Sequence, residues 1–298
     1  MSYFFEPIKG AVTFLLVALN TIILAPTVIL LGVFKLALPL KSVSKICAKI
    51  NIIISERWIG NNALIFKLMH KTQWEVQGLE TLKKRSWYLV VSNHQSWVDI
   101  LVLQTIFYRR IPFLKFFLKK ELIWVPIMGL VWWALDFPFM KRYSSEFLKK
   151  HPHLKGKDIE ITRKACEKFK YNPISVMNFV EGTRFADAKH KKQQSPYSHL
   201  LKPKAGGVAF VFSAMGDYLD SILNVTIAYP QGAQSFWDFL CGRVDEIRVR
   251  IEAIPITDEM LGDYFNDSEY RSRFQGWVND LWLEKNQTVI NLLDDQPN

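Results

Sequence analysis

Apolar residues fall into runs of different length and period along this chain, and each length predicts a different element. The longest comes first: between Lys9 and Lys35 no residue is charged. A membrane-crossing helix needs about 20 apolar residues, so this stretch is long enough for one. Pro26 sits inside it, removes a helical hydrogen bond and invites a kink. Two geometries follow: one kinked span, or a helix pair dipping into a single leaflet. A cleaved signal peptide accounts for the run poorly, because it is too long and shows no small-x-small cleavage site. Residues 42–70 then read as an amphipathic helix.

Short runs predict strands. Residues 73–77 alternate polar and apolar, whereas 87–92 and 174–180 are near-continuously apolar, the pattern of buried strands. Residues 137–140 and 223–229 are further short strands. Residues 246–252 alternate charged and apolar positions, which predicts a strand with one solvated face. Helices are predicted over 99–107, 157–169 and 205–214, and over 268–293 with a stripe of Tyr270, Phe274, Trp277 and Leu281. Residues 121–135 are aromatic and apolar around Pro126 and Gly129, and read as a broken helix facing lipid or an acyl chain. The Lys-rich stretch 185–204 reads as a loop over the site. No internal repeat is present. Strands alternating with helices predict an α/β fold, a mixed sheet flanked by helices, with an N-terminal hydrophobic membrane-anchoring segment. The expected division is residues 1–70 as anchoring helices and 71–298 as the α/β domain.

Composition narrows the class. The chain is 49% hydrophobic and carries a formal net charge of +10. A basic surface suits anionic lipid or a polyanionic substrate. Nucleic acid is disfavoured, because no basic-aromatic RNA motif, zinc-finger spacing or basic heptad helix occurs. Lys35, Lys41, Lys45, Lys49 and Arg57 follow the long apolar run. By the positive-inside rule they put the rest of the chain in the cytoplasm. Cys47, Cys166 and Cys241 are far apart, which predicts neither a disulfide framework nor a zinc site and fits a reducing compartment.

The candidate chemistry lies at the end of the run 87–92, where Asn93-His94-Gln95-Ser96-Trp97-Val98-Asp99 follows. A histidine with an aspartate is two thirds of a Ser-His-Asp triad, and the missing nucleophile would arrive with the substrate. Positions five apart on one helix diverge by about 140°. His94 is therefore expected in the turn and Asp99 in the first helical turn, facing back. The alternative is that Asp99 and Ser96 merely cap the helix, as in a capping box. His94 is the candidate general base and Asp99 the group that orients it.

The segment from Asn93 to Asp99 resembles the first signature block of the glycerophospholipid acyltransferases, typified by 1-acylglycerol-3-phosphate acyltransferase. The second block resembles Phe137-Pro138-Phe139-Met140-Lys141-Arg142, and the third Asn178-Phe179-Val180-Glu181-Gly182-Thr183-Arg184, with Val180 where the family has proline. The fourth resembles Val225-Thr226-Ile227-Ala228-Tyr229-Pro230, and is nearer to the lysocardiolipin branch. The resemblance implies O-acyl transfer from acyl-CoA or acyl-carrier protein to a lysophospholipid, most simply 1-acyl-sn-glycerol-3-phosphate. Lysocardiolipin is an alternative acceptor, and a non-catalytic lipid-binding protein the alternative class. A hydrolase is disfavoured, since no Gly-x-Ser-x-Gly elbow occurs. The resemblance assigns substrate phosphate to Arg142 and Arg184, with Lys204 as an addition, and makes Glu181, Gly182 and Thr183 part of the substrate-binding block. It implies no cofactor beyond the acyl donor, no metal, and an inner-membrane location with the catalytic domain facing the cytoplasm. Trp124, Trp132, Trp133 and Phe137 are candidates to line an acyl channel or to contact core or bilayer.

Overall fold

In the computed structural model, which describes residues 2–140, 160, 163, 164, 166, 169 and 173–294, the long apolar run is one unbroken helix, α1 (Ser2–Ala37). It continues through Pro26. Over Phe5–Ala37 it is long and apolar enough to cross a membrane, and only 17% of its most apolar window is buried. This is not the pattern of a soluble core helix. Leu15, Leu19, Ile22, Ile23 and Leu30 all face outward.

α2 (Lys41–Met69) lies against α1 through a polar ladder set in apolar surroundings. Asn20 Nδ2 donates to Asn62 Oδ1 at 2.8 Å and to the Trp58 carbonyl at 3.0 Å, and Asn61 Nδ2 donates to Asn20 Oδ1 at 2.9 Å. Trp58 Nε1 donates to Thr21 Oγ1 at 2.9 Å. The Asn20 amide thereby uses both its oxygen and its nitrogen, meeting a demand that an apolar setting would otherwise leave unmet.

Six strands build the main sheet: β1 (Gln73–Gln77), β2 (Tyr88–Ser92), β3 (Leu114–Phe116), β6 (Ser175–Phe179), β7 (Ser221–Ala228) and β8 (Glu246–Pro255). Their order is β1-β8-β7-β2-β6-β3. Every neighbouring pair is parallel except β7 with β8, so the sheet is mixed, as expected. β4 (Leu118–Lys119) and β5 (Phe139–Met140) form a small separate pair. All of β2 is buried, which explains its lack of polar alternation. Its side chains still take opposite faces. Leu89 and Val91 join a core with α6 (Ala205–Met215) and α8 (Ser268–Asp294). Tyr88 and Val90 join one with α3 (Val98–Phe107), Phe66 of α2 and α7 (Phe236–Cys241).

Several elements depart from the sequence expectation. The stretch 185–204 is not all loop: it carries α5 (Asp187–Gln193), where Ala-Lys-His-Lys-Lys-Gln suits a helix as well as a solvated turn. The broken helix expected near Pro126 is present, as a 3₁₀ turn, Lys120–Trp124, followed by α4 (Met128–Ala134), with Ile127 at φ 61° between them. The polar face of β8 is solvated at Arg250 and Glu252 but closed at Arg248. There the end of α8 crosses the strand, and Arg248 donates to the Leu292 carbonyl at 2.7 Å and to Glu246 Oε1 at 2.7 Å. On α8 Tyr270, Phe274 and Leu281 are buried as expected, Val278 and Trp282 join them, and Trp277 is only half-buried. β3 and α7 are too short to leave a readable period. The helix expected over 157–169 falls largely outside the described residues.

Leu89 sits in the most central part of the sheet with no exposed surface. Leu89→Ala is expected to cost about 3 kcal/mol, the usual range for a buried leucine truncation, read as a lower midpoint in denaturant titration of the detergent-solubilised protein.

Candidate active site

β2, β6 and β7 run parallel and adjacent, so their carboxyl ends open at one edge of the sheet, where loops converge. Asn93, the residue after β2, imitates a strand partner. Its Nδ2 donates to the Ile227 carbonyl at 2.8 Å, and its Oδ1 accepts from the Ile227 N–H at 2.9 Å. The end of β2 is thereby locked to the end of β7.

His94 comes next and is held at several points. Its carbonyl accepts from the Phe185 N–H at 2.7 Å, and its own N–H donates to Glu181 Oε1 at 3.2 Å. The imidazole stacks on the Phe179 ring, centroids 3.8 Å apart and planes 11° from parallel. Nδ1 lies 2.8 Å from Asp99 Oδ2. Asp99 is wholly buried in the first turn of α3, facing back as the helix geometry requires. Its Oδ2 also accepts the N–H groups of Gln95 at 2.6 Å and Ser96 at 2.9 Å, and its Oδ1 accepts the Tyr229 hydroxyl at 2.6 Å. Asp99 thus both touches the imidazole and accepts N–H groups of its own turn. An ionised carboxylate only accepts, so this pattern puts the ring proton on Nδ1 and a lone pair on Nε2. No described residue hydrogen-bonds Nε2.

β6 delivers the other wall. Glu181 is fully buried and bridges two loops, accepting from the His94 N–H and, at 3.0 Å, from the Leu201 N–H. Burial pushes its carboxyl up to about 7; the two backbone N–H groups and Lys285 oppose the shift. Lys285, from α8, is itself buried and donates to the Val225 carbonyl at 2.6 Å and to Thr226 Oγ1 at 3.3 Å. Burial pushes its ammonium down to about 7, with Glu181 and Glu252 holding it up. Gly182 follows at φ 69°, a left-handed conformation that glycine adopts without strain. A Cβ there would lie 3.3 Å from Lys204 Nζ, which places Lys204 directly over this turn. Thr183 Oγ1 accepts from Lys189 Nζ at 2.7 Å, and the Arg184 guanidinium lies over the Trp97 ring, 4.6 Å from its centroid.

Of the residues singled out in the sequence, His94, Asp99, Glu181, Gly182, Thr183, Arg184 and Lys204 come together at this edge. Arg142 lies outside the described residues. Arg184, Lys189 and Lys204 are exposed, and among the described residues no carboxylate pairs with them. Asn93, Lys189, Tyr229 and Lys285 escaped the sequence reading. Asn93 and Tyr229 lie inside recognised blocks, but their partners are remote in sequence; Lys285 is one more lysine on a polar-looking helix. Trp132 and Phe137 line an apolar cleft with Val28 of α1, Ile59 of α2 and Gln104 of α3. Trp133 packs against α1 at Gly32, and Trp124, 87% exposed, faces outward.

Residues 73–229 match the family model described as Acyltransferase. The mouse (Mus musculus) protein 1-acyl-sn-glycerol-3-phosphate acyltransferase epsilon is 21% identical over 235 residues, covering 71% of this chain and 60% of that protein. The chicken (Gallus gallus) lysocardiolipin acyltransferase 1 is 24% identical over 215 residues, covering 67% of this chain and 52% of that protein. The chain therefore spans between half and two thirds of the length of these relatives. Among solved structures, the 1-acyl-sn-glycerophosphate (LPA) acyltransferase PlsC from Thermotoga maritima aligns with a TM-score of 0.47 at 17% identity, over 96% of this chain and 100% of that one.

Glu181 gives the site a pH signature. Its folded carboxyl binds a proton more tightly than the unfolded one, with a value of about 7 against 4.5. Its contribution to stability is therefore expected to fall as pH rises from about 4.5 to about 7 and to stay level above that. Lys285, with a folded value of about 7, enters only at the upper end of this window and there acts with the opposite sign. Melting of wild type and Glu181→Gln across pH 4.5–7 checks it: the variant should lose that slope. It should also lie about 1–3 kcal/mol lower near pH 7, where the amide leaves one backbone N–H unpaired.

Proposed function

The chain belongs to the Acyltransferase family, and on that premise we propose that it moves a fatty acyl group from a thioester to the free hydroxyl of a lysophospholipid. The observation that carries this reading is the 2.8 Å contact of His94 Nδ1 with a buried Asp99, which leaves Nε2 without a hydrogen-bond partner among the described residues. The acceptor hydroxyl donates to Nε2 and loses its proton to it while its oxygen attacks the thioester carbonyl carbon. The tetrahedral intermediate then expels the thiolate, which takes the proton back from the imidazolium. The new ester C–O bond replaces the C–S bond, and no acyl-enzyme is needed. Asp99 steadies the imidazolium between the two steps.

Arg184 and Lys204, together with Arg142, take the phosphate of the acceptor or of the donor. Guanidinium groups suit this task through paired, charge-assisted bonds. Glu181, Gly182 and Thr183 shape the loop that presents Arg184. The apolar cleft behind α3 suits an acyl chain. The donor is acyl-CoA or acyl-carrier protein, used as a co-substrate, with no other cofactor. The simplest acceptor is 1-acyl-sn-glycerol-3-phosphate. A second acceptor, lysocardiolipin, is favoured by the Tyr229-Pro230 ending of the fourth block and by a relative of that name. The exposed apolar surface of α1 supports attachment to a membrane; we place it in the inner membrane, with the site facing the cytoplasm.

The test is an assay of the purified full chain against a panel of lysophospholipids with long-chain acyl-CoA. His94→Ala should lower transfer by at least about 10²-fold while leaving the thermal melt in place, and near-normal turnover would remove His94 from the mechanism. Arg184→Ala should raise KM for phosphate-bearing substrates more than it lowers kcat; equal loss on a neutral acceptor would count against its role.

A further inference from the structure

The carboxylate of Asp99 is secured unequally at its two oxygens. Oδ2 meets three donors, His94 Nδ1 at 2.8 Å, Gln95 N at 2.6 Å and Ser96 N at 2.9 Å, all from the turn that Asp99 itself closes. Oδ1 has one hydrogen-bond partner among the described residues, the Tyr229 hydroxyl at 2.6 Å. Asp99 has no exposed surface and Tyr229 only 4%. A buried carboxylate oxygen needs a donor, because leaving it desolvated without one is costly.

We propose that Tyr229 is a positioning residue for the base, acting through Asp99: its hydroxyl pins Oδ1, and so fixes the rotation at which Oδ2 meets the imidazole. This inference rests on the reading of His94 as the base.

The surroundings are suited to that task. Tyr229 directly follows β7, and Asn93 clamps the neighbouring Ile227 to the end of β2. The carboxylate is therefore held between two strand ends that are themselves tied together. Local donors alone would hold Oδ2 and leave Oδ1 free to turn. Burial and the adjacent Asp99 push the Tyr229 phenol well above its ordinary range, so it stays a donor. The other charges nearby are engaged elsewhere. Glu181 holds the backbone N–H groups of His94 and Leu201, and Lys285 donates to Val225 and Thr226 on β7. Arg184 is stacked on Trp97.

The experiment uses the full chain in detergent, as wild type, Tyr229→Phe, Asp99→Asn and the double variant. Phe keeps the ring and removes only the hydroxyl. Tyr229→Phe should lower kcat about tenfold with KM for the acceptor unchanged, the size expected from losing one hydrogen bond to a charged group. In the Asp99→Asn background the same change should cost less than about twofold, because the group it acts through is already altered. A kcat for Tyr229→Phe within about twofold of wild type, or an equal loss in both backgrounds, overturns the inference. Should wild type acylate no lysophospholipid, the mechanistic reading falls by itself, and the ring nitrogen resonances of ¹⁵N-labelled His94 decide the rest. Their displacement in Tyr229→Phe supports the coupling, and unmoved resonances overturn it. Where the Phe variant does not fold, 3-fluorotyrosine at position 229 keeps the hydroxyl but alters its acidity, and the same resonances are read in the same way.

Discussion

A negative charge with no exposed surface sets the terms for everything around it. Desolvating a carboxylate is costly unless donors surround it. Asp99 meets that demand with three groups from its own turn and one from the end of β7. The demand is topological as well as local. It can be met only if β7 lies beside β2 and runs parallel to it, so that both strands end at the same edge. The Asn93 clamp, the stacking of His94 on Phe179 and the tight entry into α3 all follow from keeping those strand ends in register. The imidazole inherits its orientation from this frame.

A second layer of buried charge lies beneath the loops. Glu181 spends both oxygens on backbone N–H groups, one on each side of the cleft, and so joins the loop after β2 to the one before α6. It is the acidic member of its own sequence block, yet its oxygens turn to backbone N–H groups and not to Arg184 beside it. Acid turned inward and cation turned outward leave Arg184, Lys189 and Lys204 with no carboxylate partner among the described residues. The separation matters for any anionic ligand, because a pre-paired guanidinium must break one bond to make another. Lys285 balances Glu181 from the far side, and their opposed shifts toward about 7 show what burial costs each of them.

The parts legible in the sequence were those with local causes. β2 was visible because a strand buried on both faces must be apolar throughout. His94 and Asp99 were visible because a five-residue separation across a strand-to-helix turn can bring two side chains together. Tyr229 was not, since its partner is 130 residues away and nothing near it encodes the distance. Arg248 looked solvated because alternation reports the period of a strand, not what crosses it; α8 supplied the lid. The stretch 185–204 looked like loop because a short, charged helix and a hydrated turn share a composition. The long apolar run left open a kinked span or a helix pair, and α1 proved continuous through Pro26 and paired with α2.

That pairing has a further consequence. α1 does not stand apart from the rest of the fold: a Cβ at Gly10 would lie 2.6 Å from Cys241 Sγ, and one at Gly32 2.6 Å from Ala134 Cβ. Lys35 reaches Asp136 at 2.7 Å, and Leu24, Ala25 and Val28 form one side of the apolar cleft. The long apolar helix is thus also masonry of that chamber. Trimming it away would breach the chamber rather than free an intact remainder.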